Sequence, residues 1–167
     1  MSAKVYTSAS PARLLLVDDH PMLRRGIAEL LSLESDVIVV GQANNGQEAV
    51  DFLANNPVDL VILDHKMPLL TGIETLREIK ARNIDVVTLL FTISDSGEDV
   101  QEALKLGVDG YLLKDMEPEL IITDIRKVLR GELAISPNLA SILAQTLRAP
   151  SIEDIAGNLT TRELQVI

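Results

Sequence analysis

Hydrophobic residues along this chain fall into two alternating rhythms. Short apolar runs, of the kind that form strands buried on both faces, occur at Arg13–Val17, Asp36–Gly41, Leu60–Leu63, Val86–Thr92 and Gly110–Lys114. Between them the apolar positions recur at helical spacing. Pro21–Leu33 carries Met22, Leu23, Ile27, Leu30 and Leu31, and Pro21 suits a first turn, where its missing N–H leaves no hydrogen bond unmade. Gly46–Leu53 carries Ala49, Val50 and Leu53 and is ended by Asn55-Asn56-Pro57. Gly72–Arg82 holds Ile73, Leu76 and Ile79. Ser94–Leu106 opens with Asp95, Glu98 and Asp99, favourable against the helix dipole, and Gly107 stops it. Pro118–Leu129 carries Leu120, Ile121, Ile125, Val128 and Leu129, and Gly131 closes it.

Strands alternating with helices from Arg13 to Gly131 predict an α/β domain whose parallel sheet is covered on both faces. Right-handed crossovers leave few topologies, and the flavodoxin-like strand order 2-1-3-4-5 is the expected one. Composition agrees: 47% of residues are hydrophobic but only 2% aromatic, so the core must be aliphatic. Residues 1–12 read as a disordered leader, and 132–158 as a linker with a helix at Pro137–Leu147. Residues 159–167 begin a further helix with a Thr cap, expected to open a second domain that stops short at Ile167.

The absence of Cys excludes disulfides and thiolate chemistry. Without an apolar run of about 18 residues, the expectation is a cytoplasmic protein with no membrane partner. A net charge of −10 does not attract a nucleic-acid backbone, so any DNA-reading element is expected outside these residues.

A parallel sheet delivers every strand's carboxyl end to one edge. The first strand ends in Asp18-Asp19, the third in Asp64, the fourth in Thr92 and the fifth in Lys114. In the order 2-1-3-4-5 these strands are neighbours, so the side chains converge. Singly, each has a plainer role: helix-terminal acids, a loop acid, a strand-end hydroxyl, a solvated lysine. Together, three carboxylates at close range repel, and a hard divalent cation with oxygen ligands, magnesium, relieves them. Lys114 adds a positive point charge and Thr92 a hydroxyl donor, a set suited to phosphoryl transfer. Asp64 stands alone at the central strand end, before a loop through Met67 and Pro68, and is assigned as covalent acceptor. Asp19 and Asp64 are expected to bind the metal directly, with Asp18 a ligand or water-mediated holder. The Lys66 side chain would repel magnesium, leaving only its backbone carbonyl as a ligand. Tyr111 reads as plain core.

V-D-D-H-P (17–21), L-D-H-K-M-P-L-L-T-G (63–72), F-T (91–92) and G-Y-L-L-K (110–114) resemble, in spacing and order, the receiver domain of bacterial two-component response regulators. The resemblance implies that Asp64 takes a phosphoryl group from a sensor histidine kinase, with magnesium held by Asp18, Asp19, Asp64 and the Lys66 carbonyl. It implies further that Thr92 turns inward to the phosphoryl group, that Tyr111 swings from exposed to buried, and that Lys114 pairs with the phosphoryl oxygens. D-D-H-P-M-L-R-R-G and G-Y-L-L-K-D-M-E-P-E look like the NarL/FixJ subfamily and its nitrate/nitrite regulators. L-T-T-R-E-L-Q-V-I resembles the opening of a LuxR-type helix-turn-helix domain, where Pro is common at the position of Thr161. Phosphorylation-dependent homodimers are implied as well. One departure is His65-Lys66 in place of the common Leu-Asn, which puts positive charge beside Asp64 and is expected to alter the phosphoryl lifetime.

Three other readings compete. A magnesium-dependent phosphatase with an aspartyl nucleophile would place a second acid as D-x-D, which Asp64-His-Lys lacks. A flavodoxin-like cofactor carrier needs a neutral phosphate loop, which Asp18-Asp19 would spoil. A stand-alone phosphorelay receiver would lack a DNA-binding output.

Overall fold

Every strand of the sheet is short and alternates its side chains between two helical layers, as the aliphatic runs require. The computed structural model describes residues 5–93, 96–137, 139–141 and 144. In chain order the elements are β1 (Ala12–Val17), α1 (Pro21–Ser32), β2 (Val37–Ala43), α2 (Gly46–Asn55), β3 (Leu60–Leu63), α3 (Gly72–Ala81), β4 (Val87–Thr92), α4 (Gly97–Lys105), β5 (Gly110–Leu113), α5 (Pro118–Leu129) and β6 (Ala134–Ile135). The sheet is parallel, in the order β2-β1-β3-β4-β5-β6. Its first five strands follow the expected order. The two-residue β6 extends it from the stretch read as linker, pairing Ala134 with Gly110 and Ile135 with Tyr111.

Alternation along the strands sorts the core into two halves. Leu15, Val17, Val61, Leu63, Leu90, Tyr111 and Leu113 face α2, α3 and α4, while Leu14, Leu16, Leu60, Ile62, Leu89, Phe91 and Leu112 face α1 and α5. With both faces covered, β1, β3, β4 and β5 are buried almost throughout and mostly apolar, Arg13, Thr88 and Thr92 being the polar exceptions, which explains their long apolar runs. The edge strand β2 exposes Ile38 and Val40. Its register with β1 slips between Leu14 and Leu15, a bulge near Gly41. The Phe52 ring lies where a Cβ at Gly41 would sit, its Cε2 2.7 Å away.

The helix ends follow local chemistry. Asn45 accepts from the Glu48 N–H to cap α2, and Ser96 accepts from the Asp99 N–H to cap α4. Thr71 and Glu74 form a reciprocal capping box on α3, with bonds of 3.1 and 2.9 Å. At the amino edge of the sheet, Arg13 forks onto both carboxylate oxygens of Asp59. Arg126 on α5 does the same to Asp36 and also reaches Glu34, bolting α5 to the α1–β2 turn. These bonds hold the Asp36 carboxyl below its ordinary range, their effect exceeding the opposing desolvation.

Part of the expected leader is ordered against the domain. Thr7 and Ser10 exchange backbone hydrogen bonds, and Tyr6 packs on the α1–α5 half of the core. Burial first, and then the Asp59 charge, push the Tyr6 phenol up. Beyond β6, Pro137, Leu139–Ser141 and Ala144 are helical, and Leu139 is fully buried. The stretch resembling a helix-turn-helix domain, 159–167, lies outside the described residues.

Candidate functional site

Four strands end in the residues that build the site. The β1 run stops at Asp18, whose N–H donates to Ala43 O, and β3 stops at Asp64, whose N–H donates to Val17 O at 2.9 Å. That cross-strand bond holds Asp64 beside the β1–α1 turn. The Lys114 N–H donates to Thr92 O at 3.0 Å, locking the β5 end to the β4 end.

Asp64 and Asp18 are buried, while the Asp19 side chain is one-third exposed. Lys114 Nζ lies 2.7 Å from Asp18 Oδ2 and 3.2 Å from Asp64 Oδ2, bridging the two carboxylates. The other Asp64 oxygen, Oδ1, accepts the His65 N–H at 2.8 Å. One ligand atom from each of Asp18, Asp19, His20 and Asp64 lies within 4.8 Å of the others. Asp19 Oδ1 is buried and accepts no hydrogen bond; His20 Nδ1 stands 3.1 Å from it. A buried oxygen left without a donor, inside a carboxylate cluster that one lysine only partly neutralises, fits a divalent cation with oxygen ligands. The fit was legible in the sequence as three acids, and the structure adds the orphaned oxygen.

The loop after Asp64 is held by its own backbone. Leu70 N–H donates to Pro68 O at 2.8 Å, closing a three-residue γ-turn centred on Leu69, whose φ is +70°. Gly72 N–H donates to His65 O at 2.7 Å. A Cβ at Gly72 would strike the Asp64 carbonyl oxygen and stand 2.8 Å from His65 Cα, so only glycine lets α3 start this close to Asp64. Met67 is buried behind the loop, whereas Lys66 is exposed.

Thr92 is fully buried at the β4 end, and Tyr111 is fully buried on β5. Strand alternation puts both on the α3–α4 face of the sheet, and Tyr111 pairs in register with Leu90. His65 does not reach over the acid beside it. Its Nδ1 accepts the Ile73 N–H at 3.3 Å and its Nε2 lies 3.6 Å from Asp99 Oδ2, so the ring links the loop after Asp64 to α3 and α4.

Two residues beside the acids were not singled out from the sequence. His20 sets its Nδ1 3.1 Å from both Asp18 Oδ1 and Asp19 Oδ1. Arg24, one turn into α1, donates to the Asp18 carbonyl and to Asn44 Oδ1, with its Nε on Gln42 Oε1, and so fixes the β1–α1 turn against β2. A histidine directly after an acid pair is a signal that could have marked the first. The second depends on the β1–β2 pairing and had none.

A doubly wound sheet with an acid triad and a lysine at its carboxyl edge is the architecture of a receiver domain, and a family model matches it. The chain belongs to the response regulator receiver domain family, matched over residues 14–126. It is 40% identical over 163 residues to the nitrate/nitrite response regulator protein NarL of Escherichia coli K12, covering 96% of this chain and 76% of that one. It is 34% identical over 159 residues to the nitrate/nitrite response regulator protein NarP of the same strain, covering 95% and 74%. Among solved structures it is similar to a LuxR-family two-component response regulator from Aurantimonas sp. SI85-9A1, with a TM-score of 0.79, 31% identity, and coverage of 84% of this chain and 100% of that one. The receiver domain of the putative response regulator NarL from Mycobacterium tuberculosis superposes with a TM-score of 0.70 at 30% identity, covering 73% and 98%. Response regulators are signalling proteins, and their receivers bind magnesium at an acidic pocket of the kind found here. Among the described residues no helix is long and apolar enough to cross a membrane.

Proposed function

We propose that this chain is the phosphorylation-switched receiver of a DNA-binding transcription regulator, acting in the cytoplasm and charged by a sensor histidine kinase. The observation that carries the reading is the buried Asp64 carboxylate with Lys114 Nζ at 3.2 Å and Asp18 sharing the same ammonium. An Asp64 oxygen attacks the phosphorus of a phosphohistidine. The new O–P bond forms as the N–P bond breaks, and the imidazole leaves with the electron pair of that bond. Asp18, Asp19, Asp64 and the Lys66 carbonyl would hold magnesium, which supplies charge neutralisation for the phosphoryl oxygens when bound. Lys114 then moves its charge from the carboxylate to a phosphoryl oxygen, and the Thr92 hydroxyl donates to another. The product adds about −1.5 to −2 charge to the site. Thr92 and Tyr111 share one face of the sheet, so a shift of Thr92 toward the phosphoryl group alters the packing available to Tyr111 beneath α4. That change on the α4–β5–α5 side is the signal passed to a dimer partner or a DNA-binding domain.

The nitrate/nitrite relatives make nitrate and nitrite the first stimuli to test, and the similarity of 159–167 to a LuxR-type domain supports a DNA-binding output. The chain itself catalyses at most its own phosphorylation and dephosphorylation. Incubation with acetyl phosphate and magnesium tests the acceptor. One base-labile phosphate per chain, absent from Asp64→Ala, is the expected result. Full-rate labelling of Asp64→Ala would overturn the assignment, and continuous turnover would favour an aspartyl phosphatase.

A further inference from the structure

We propose that His20 Nδ1 is a direct ligand for first-row transition-metal cations at the acidic site, so that the site is a mixed nitrogen–oxygen centre and not only a magnesium site. This rests on the reading of Asp18, Asp19 and Asp64 as a cation site and adds to it a residue that sets which cation is preferred.

The geometry is that of a partly formed coordination shell. His20 Nδ1 lies 3.1 Å from Asp18 Oδ1 and 3.1 Å from Asp19 Oδ1. Adjacent corners of an octahedron with bonds of about 2.1 Å are separated by about 3.0 Å, so the nitrogen stands at the spacing of a cis ligand from each of the two oxygens, one of which it also meets as a hydrogen-bond partner. Asp19 Oδ1 is the buried oxygen that accepts no hydrogen bond, and the imidazole nitrogen and this oxygen share the Asp18 Oδ1 side of the cluster. The opposite side is already taken, because Lys114 Nζ holds Asp18 Oδ2 and Asp64 Oδ2. A cation must therefore enter on the Oδ1 side, where His20 stands.

The backbone keeps the ring there. His20 is the residue before α1, its N–H donates to Asp18 Oδ1 at 2.8 Å, and Pro21 follows it. The side chain is 68% exposed, so the imidazole can rotate about its own bonds toward a metal without disturbing the core.

Imidazole is a poor ligand for magnesium, which prefers oxygen and keeps its waters, but a good one for manganese, cobalt, nickel and zinc. Under magnesium the ring stays aside and the carboxylates serve alone. With a transition metal, a nitrogen is added and affinity rises beyond what the carboxylates confer. A plain imidazole–carboxylate ion pair would instead act on every cation alike.

Calorimetric titration of the full chain and His20→Ala with cobalt(II) and with magnesium distinguishes these cases, alongside the nitrogen coupling in the pulsed paramagnetic resonance spectrum of bound manganese(II). The expected result is a cobalt affinity lower by about tenfold or more in His20→Ala, with magnesium affinity changed by less than about threefold. Wild-type manganese should show imidazole-nitrogen coupling that the variant loses. An equal change for both cations, an unchanged cobalt affinity, or no nitrogen coupling in the wild type overturns the ligand role. Asp19→Asn separates the two levels of failure. Cation uptake lost in Asp19→Asn but indifferent to His20→Ala refutes His20 alone, whereas no uptake of either cation by the wild type refutes the cation site as well.

Discussion

Replacing Lys114 by Met isolates the electrostatics of the site. The ammonium lies 2.7 Å from Asp18 and 3.2 Å from Asp64, and all three side chains are nearly buried, at 11, 9 and 4% exposure. At an effective dielectric of about 20 the two attractions amount to roughly 6 and 5 kcal/mol. The carboxylates, with ligand atoms within 4.8 Å of each other, repel by at least about 3.5 kcal/mol on the same scale. Desolvation of the ammonium offsets much of the gross attraction. The net loss on leaving two buried acids without their counter-charge is about 3 to 5 kcal/mol. Urea unfolding of wild type and Lys114→Met, followed by circular dichroism at neutral pH in chelator, should show this loss. Added magnesium should then stabilise the variant more than the wild type, because the cation relieves a larger repulsion and no longer meets the lysine's charge. Equal stability in chelator would refute the argument, as would a magnesium increment no larger in the variant.

Gly72→Ala should cost about 1 to 3 kcal/mol through overpacking against the Asp64 carbonyl, and should slow labelling by acetyl phosphate because α3 can no longer seat the acceptor loop. Thr71→Ala removes the capping hydroxyl of α3 and should lower stability by about 1 kcal/mol in the same unfolding assay. Arg126→Met removes the partner that depresses the Asp36 carboxyl. A depressed carboxyl stabilises the fold above its unfolded value and loses that contribution as pH falls through the folded value. The wild-type advantage over Arg126→Met should therefore be full at neutral pH and shrink on acidification below about pH 4. A gap independent of pH would contradict the ion pair.

Much of the fold was readable because the strands are buried on both faces: a run such as Leu60–Leu63 has no polar position to blur it. The helices were placed to within a few residues for the same kind of reason, with Pro21, Pro118, Gly107 and Gly131 acting as punctuation. The sixth strand was not readable, since Ala134–Ile135 is too short to carry a period and exists only because β5 offers it an edge. Nor was the packing of Tyr6, which stands in a short, mostly polar stretch and whose partners Asp59 and Arg13 are distant or on another element.

The acid triad, Thr92 and Lys114 could be placed at one edge in advance because a parallel sheet turns sequence order into position: each strand delivers its last residue to the same edge. That rule places Cα atoms and leaves side-chain direction open. Only the tertiary structure showed that Lys114 bridges Asp18 and Asp64, that His65 turns toward α3 and α4, and that His20 and Arg24 reach back to the β1–α1 turn. Those contacts depend on rotamers and on hydrogen bonds between segments far apart in the chain, and no local pattern of hydrophobic and polar residues encodes them.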